Sequence, residues 1–85
     1  MIIVGDIGNT ETKICLVNSK NKIIKRINLS TKKVNFSTLK KAISSLNIKS
    51  KLIKKCLICS VVPKSYDEIK NFLYKVYKIR CYELK

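Results

Sequence analysis

Between Ile2 and Lys13 the chain carries the residue types that a metal-bound phosphate requires. The apolar run Ile2-Ile3-Val4 leads through Gly5 to an acid, Asp6. Gly8-Asn9-Thr10 then form a tight turn before a second apolar run starts at Ile14. A carboxylate suits the cation, hydroxyl and backbone N–H groups suit the phosphate oxygens, and a turn at a strand end can bring them to one point. Each residue also has a plainer reading. Asp6 can cap the turn, Asn9 can stand there because it tolerates positive φ, and Lys13 is one of 17 lysines.

Such a turn works only at the end of a sheet, and the flanking pattern supplies one. The first strand is expected over 2–6 and the second over 13–17, apolar on both faces as suits a place near the sheet centre. Asn18 to Asn21 are turn residues. A third strand over 22–30 sets Ile23, Ile27 and Leu29 against Arg26, Asn28 and Ser30, the pattern of a strand nearer the edge. Asn35 can cap a helix over 35–47 with an apolar stripe of Phe36, Leu39, Ile43 and Leu46. Residues 47–55 form a basic loop.

A fourth strand, 56–62, is almost wholly apolar, the signature of a parallel strand covered on both faces, and Pro63 ends it. A helix over 64–77 opens on the capping box Ser65-x-x-Glu68, which accounts for Asp67 and Glu68, and buries Ile69, Phe72, Leu73 and Val76. Residues 79–84 alternate as a fifth strand. The fold class is α/β: a mixed five-stranded sheet, with three antiparallel strands and then helix, strand, helix, strand joined by crossovers.

The chain has 85 residues and a net charge of +14, from 19 basic and five acidic residues. That length bounds it to one domain, or part of one, spanning 1–85. The charge is open to two readings. A nucleic-acid or anionic-surface binder is one. The other is composition: lysines outnumber arginines 17 to 2, and only three pairs of lysines are adjacent. No stretch approaches the roughly 20 apolar residues of a membrane span, and Asp6 interrupts the N-terminal apolar run, so a cytoplasmic protein with reduced thiols is expected. Cys56 and Cys59 have C-x-x-C spacing, but on a strand they point to opposite faces. Small buried hydrophobes are the expected role of all four cysteines. Tyr66, Phe72, Tyr74, Tyr77 and Tyr82 suit base stacking, although helix packing explains most of them.

The element order, with its acid-glycine turn, resembles the first half of a ribonuclease H-like domain of the actin, sugar-kinase and heat-shock-chaperone superfamily. Asp6-Ile7-Gly8-Asn9-Thr10 resembles the D-x-G-N-T motif of type III pantothenate kinases, and Ser60-Val61-Val62-Pro63 resembles a second feature of that family. The resemblance implies ATP-dependent phosphorylation of pantothenate, the first step toward coenzyme A. It also implies ATP with magnesium, a monovalent cation (potassium or ammonium), and a homodimer in the full-length parent. The phosphate-binding segment would be Asp6, Ile7, Gly8, Asn9, Thr10, Glu11, Thr12 and Lys13, with Asp6 holding the metal through water. The Gly8 and Thr10 N–H groups would face a shared concavity, and Lys13 would pair with a phosphate. Glu11 is mildly unfavourable there unless it faces solvent or the metal. Ser60 and Pro63 read as a strand end and a stop.

Family members are much longer. Their downstream G-x-D-R aspartate, which acts as base and meets pantothenate, has no counterpart here, so no catalytic residue is assigned in this chain. The expectation is an N-terminal portion that lacks the second lobe and is inactive alone. The alternative is a small basic protein on the same fold, without catalysis, that contacts nucleic acid through 47–55. On the kinase reading, nucleic acid binds only non-specifically.

Overall fold

Alternation along the first strand, β1 (Ile2–Ile7), sets the layers. Ile3, Gly5 and Ile7 are buried, whereas Ile2 and Val4 are half-buried and Asp6 is exposed. The computed structural model describes residues 1–84 and builds the fold around that strand. β2 (Glu11–Val17) and β3 (Ile23–Ser30) follow, then α1 (Phe36–Ser44), β4 (Cys56–Ser60), α2 (Pro63–Tyr77) and β5 (Cys81–Leu84). The sheet order is β3-β2-β1-β4-β5. β1, β2 and β3 pair antiparallel, while β4 runs parallel to β1 and β5 parallel to β4. This is the mixed five-stranded α/β arrangement that the pattern predicts.

Both helices lie on one side of the sheet. The core joins Ile3, Ile7, Ile14, Leu16 and Ile58 to Leu39 and Ile43 of α1 and to Ile69, Phe72 and Leu73 of α2. The Phe36 and Phe72 rings meet edge-on, with centroids 5.1 Å apart. The two-sided cover expected for β4 is therefore not seen among the described residues: Ile58 is buried and Cys59 is exposed. Handedness explains this. β3, β4 and β5 run in one direction, and both crossovers step toward the same edge. Right-handed connections then put both helices on the same side. The other side presents Ile2, Val4, Cys15, Val17 and Leu57, all half-buried.

Several boundaries differ from the sequence pattern. Asn35 caps α1 as expected, accepting from the Thr38 N–H at 2.9 Å, while its own N–H donates to Thr38 Oγ1 at 3.0 Å. The helix nevertheless ends at Ser44, not at residue 47. Lys25 Nζ, from the edge strand, donates to the Leu46 carbonyl at 3.1 Å. The Ser65-x-x-Glu68 box does not form. α2 starts earlier, with Pro63 in its first turn, where a fixed φ helps and a missing N–H costs nothing. Ser65 is consequently buried inside the helix. β4 stops at Ser60, whose Oγ accepts from the Val62 N–H at 3.0 Å and so bends the chain out of the sheet. Lys78 adopts a left-handed φ of 59° and ends α2, so β5 begins at Cys81.

The cysteines divide. Cys56 is buried and Cys59 exposed, on opposite faces as expected, but an exposed Cys59 is not a core residue. Cys56 lies opposite Cys81 in register. A hydrogen bond to Cys81, together with burial, pushes the Cys56 thiol up, and the same bond holds Cys81 down. Of the aromatics, Tyr66 and Phe72 are buried, whereas Tyr74 and Tyr82 are exposed. Among the described residues no helix is long and apolar enough to cross a membrane.

Leu39 is fully buried between sheet and helix. Leu39→Ala is expected to lower stability by roughly 2–5 kcal/mol in urea denaturation, and Asn35→Ala by about 1 kcal/mol. Equal, small losses would contradict this placement of the core.

Candidate functional site

The turn between β1 and β2 sits at the carboxyl end of β1. Asp6 stands opposite Lys13 in the ladder, and Ile7 opposite Thr12. Asp6 and Lys13 are both exposed and project from the side away from the helices. Directly opposed residues in such a pair have Cβ atoms about 4.5–5.5 Å apart. The sheet register thus places Asp6 and Lys13 opposite one another at the mouth of the turn.

Within the turn the backbone groups are used unequally. The Gly8 N–H donates to the Glu11 carbonyl at 2.9 Å, so it is not free to face a concavity as expected. That bond extends the ladder one residue beyond β1. The Gly8 carbonyl accepts from Thr31 Oγ1 at 2.8 Å, and the Thr10 carbonyl accepts from the Thr31 N–H at 3.0 Å. Among the described residues no backbone acceptor meets the N–H of Asn9 or Thr10, and both residues are exposed. The positive-φ positions outside glycine are Asn21, Asn47 and Lys78, so Asn9 is not there for a left-handed backbone. Gly8 also has no positive φ; its lack of a side chain matters because a Cβ would lie 3.2 Å from the Glu11 oxygen.

The other residues of the segment face elsewhere. The Ile7 side chain is in the core, and its carbonyl accepts from the Val61 N–H at 3.1 Å. Thr12 is fully buried, with its Oγ1 2.9 Å from Thr31 Oγ1. Glu11 is exposed at the start of β2, the orientation in which it disturbs an anion least. Beside Asn9 lies a cavity of about 300 Å³ lined by Thr31, Lys32, Val62, Lys64 and Glu68, among others. Thr31 and the two lysines escape the sequence reading. Their approach depends on β3 ending opposite Glu11 and on α2 starting beside the turn. No local motif signals either.

The donor set suits one particular use of a metal. Among the described residues no three His, Cys, Asp or Glu side chains converge. Asp6 alone cannot cage a cation, but magnesium keeps most of its waters and binds through one or two carboxylates plus substrate phosphates. Asp6 beside Lys13 and two free N–H groups fits that mode.

The comparisons with known proteins cover essentially the whole chain. The family profile of type III pantothenate kinase matches residues 2–85. The type III pantothenate kinase of Pelagibacter ubique (strain HTCC1062) is 68% identical over 85 residues, which are 100% of this chain and 34% of that protein. The chain therefore spans about a third of the length of the curated relative it matches. A solved structure described as a Ppx/GppA family member from Aquifex aeolicus aligns with 98% of this chain and 34% of its own, at 13% identity and a TM-score of 0.43, which is too slight a likeness to carry weight. Matched from its first strand through the Asp6–Thr10 turn to its last, the chain belongs to the type III pantothenate kinase family.

Proposed function

We propose that residues 1–85 form the N-terminal, ATP-phosphate-binding portion of a kinase that phosphorylates pantothenate on the way to coenzyme A. One observation carries the reading most: Asp6, Lys13 and the free N–H groups of Asn9 and Thr10 gather at the carboxyl end of the central strand. Asn9 and Thr10 donate to phosphate oxygens, and Lys13 neutralises their charge. Asp6 would hold a magnesium ion through its waters, and that ion would supply positive charge beside the transferring phosphoryl group. Phosphoryl transfer depends on positioning and charge neutralisation from several sides, and these residues supply one side.

The remaining parts of the reaction belong to polypeptide beyond these residues. The acids apart from Asp6 are Glu11, Asp67, Glu68 and Glu83. Glu68 is not engaged in a helix cap, but it lines the cavity on the helix side, whereas Asp6 and Lys13 project from the opposite side. None of these acids is assigned the role of taking pantothenate's hydroxyl proton. The half-buried apolar side of the sheet supports the same domain reading, because parallel strands ordinarily have both faces covered. The second lobe, the monovalent-cation site and the homodimer contact are assigned to that further polypeptide, and the cytoplasm is the compartment proposed.

In a full-length family member with this turn, the Asp6→Asn equivalent is expected to cost on the order of 3 kcal/mol, about a hundredfold in rate. Unchanged pantothenate kinase activity would remove Asp6 from its role. The 85-residue chain, given ATP, magnesium, potassium and pantothenate, is expected to form no phosphopantothenate above a no-protein control. Turnover that survives repurification would mean that a base lies within these residues. Titration of the ¹⁵N-labelled chain with magnesium ATP is expected to move the Asn9 and Thr10 amide signals more than that of Gly8.

A further inference from the structure

We propose that Thr31 is a positioning residue for the phosphate turn: its hydroxyl holds the Gly8 carbonyl and so keeps the turn open, with its N–H groups free for an anion. The inference rests on the phosphate reading above. Thr31 lies outside the turn, just past the end of β3, and is 6% exposed. Its hydroxyl donates to the Gly8 carbonyl at 2.8 Å. A hydroxyl has one proton. With that proton on Gly8, the 2.9 Å contact with Thr12 is made by the proton of Thr12. The result is a directed chain from Thr12 through Thr31 to the Gly8 carbonyl. Both threonines are buried, so water does not compete for these bonds.

The same residue also takes the Thr10 carbonyl, since its N–H meets that oxygen at 3.0 Å. Thr31 therefore grips the turn on both sides of Asn9. Peptide planarity does the rest. A Gly8 carbonyl aimed at Thr31 turns the Asn9 N–H, on the opposite edge of the same plane, away from Thr31. In an ordinary two-residue hairpin one or both central residues have positive φ, and the first carbonyl closes onto the N–H three residues later. Neither holds here. Asn9 and Thr10 lack positive φ, and among the described residues no bond joins the Glu11 N–H to the Gly8 carbonyl. The Thr31 hydroxyl holds the Gly8 carbonyl in a direction that does not close the turn onto the Glu11 N–H. The ligand served is one with closely spaced, negatively charged oxygens, such as the phosphate chain of a nucleoside triphosphate.

The test compares the 85-residue chain with Thr31→Val, which keeps the shape and removes the hydroxyl, and Thr31→Ser, which keeps the hydroxyl. Two quantities are read: ¹⁵N relaxation and amide exchange from Gly8 to Glu11, and calorimetric binding of magnesium ATP and of magnesium with inorganic triphosphate. In Thr31→Val the turn amides are expected to become more mobile, the Glu11 amide to gain protection by closing onto Gly8, and both affinities to fall about tenfold. Thr31→Ser is expected to restore all three. A valine variant with wild-type turn dynamics overturns the proposal. So does a serine variant as impaired as valine, because packing of the methyl group would then be the cause. If Thr31→Val does not fold, Thr31→Ala also removes the hydroxyl; unaltered relaxation at Asn9 and Thr10 in that variant overturns the proposal as well. A wild-type chain that binds neither probe refutes the phosphate reading, while the turn dynamics of the variants still decide the role of Thr31.

Discussion

β1 is hydrogen-bonded along both edges, antiparallel to β2 and parallel to β4, and the placement of every other element follows from that. Its inward residues, Ile3 and Ile7, are nearly inaccessible and anchor the core. Gly5, between them, has no side chain, and a Cβ there would lie 3.3 Å from Ile58 Cγ1. The neighbouring strand can thus lay its isoleucine across the centre of the sheet. Because β1, β3 and β4 all run the same way, their carboxyl ends lie at one edge of the sheet. The β1–β2 turn, the Thr31 segment and the Ser60–Pro63 bend therefore gather there without any long loop. In open α/β sheets ligands bind outside those carboxyl ends.

The turn shows how a short chain can present backbone donors without paying for left-handed residues. Its Gly8 and Thr10 carbonyls have partners, and the Gly8 N–H continues the ladder. The donors left over include those of Asn9 and Thr10. A buried polar group left unpaired is costly, and among the described residues no buried side-chain nitrogen or oxygen lacks a partner. The free N–H groups of Asn9 and Thr10 likewise belong to exposed residues, where water or a ligand can satisfy them.

The composition has less bearing on function than its size suggests. A net charge of +14 is spread over loops and over the exposed positions of both helices. Lys25 caps a carbonyl, Lys78 ends a helix, and Lys13 is held opposite the acid of the turn. The last is distinguished from the other lysines by strand register, not by number.

The sequence by itself determined the strand order, the two helices, the Asn35 cap and the Asp6–Thr10 turn. Each is written in local periodicity or in neighbouring residue types, which act over a few residues. It misassigned the cap of α2, because Pro63 and Ser65 are both good helix-start residues and only packing chooses between them. It also read β4 as covered on both sides, because an apolar run records that a surface is apolar and not what lies against it. Thr31 was illegible for a stronger reason. Its partners Gly8, Thr10 and Thr12 lie about twenty residues away, and their meeting depends on the register of β2 against β3. Register is a relation between strands that no single strand encodes. The tertiary structure alone therefore decided which carbonyls the turn gives up and which N–H groups it keeps.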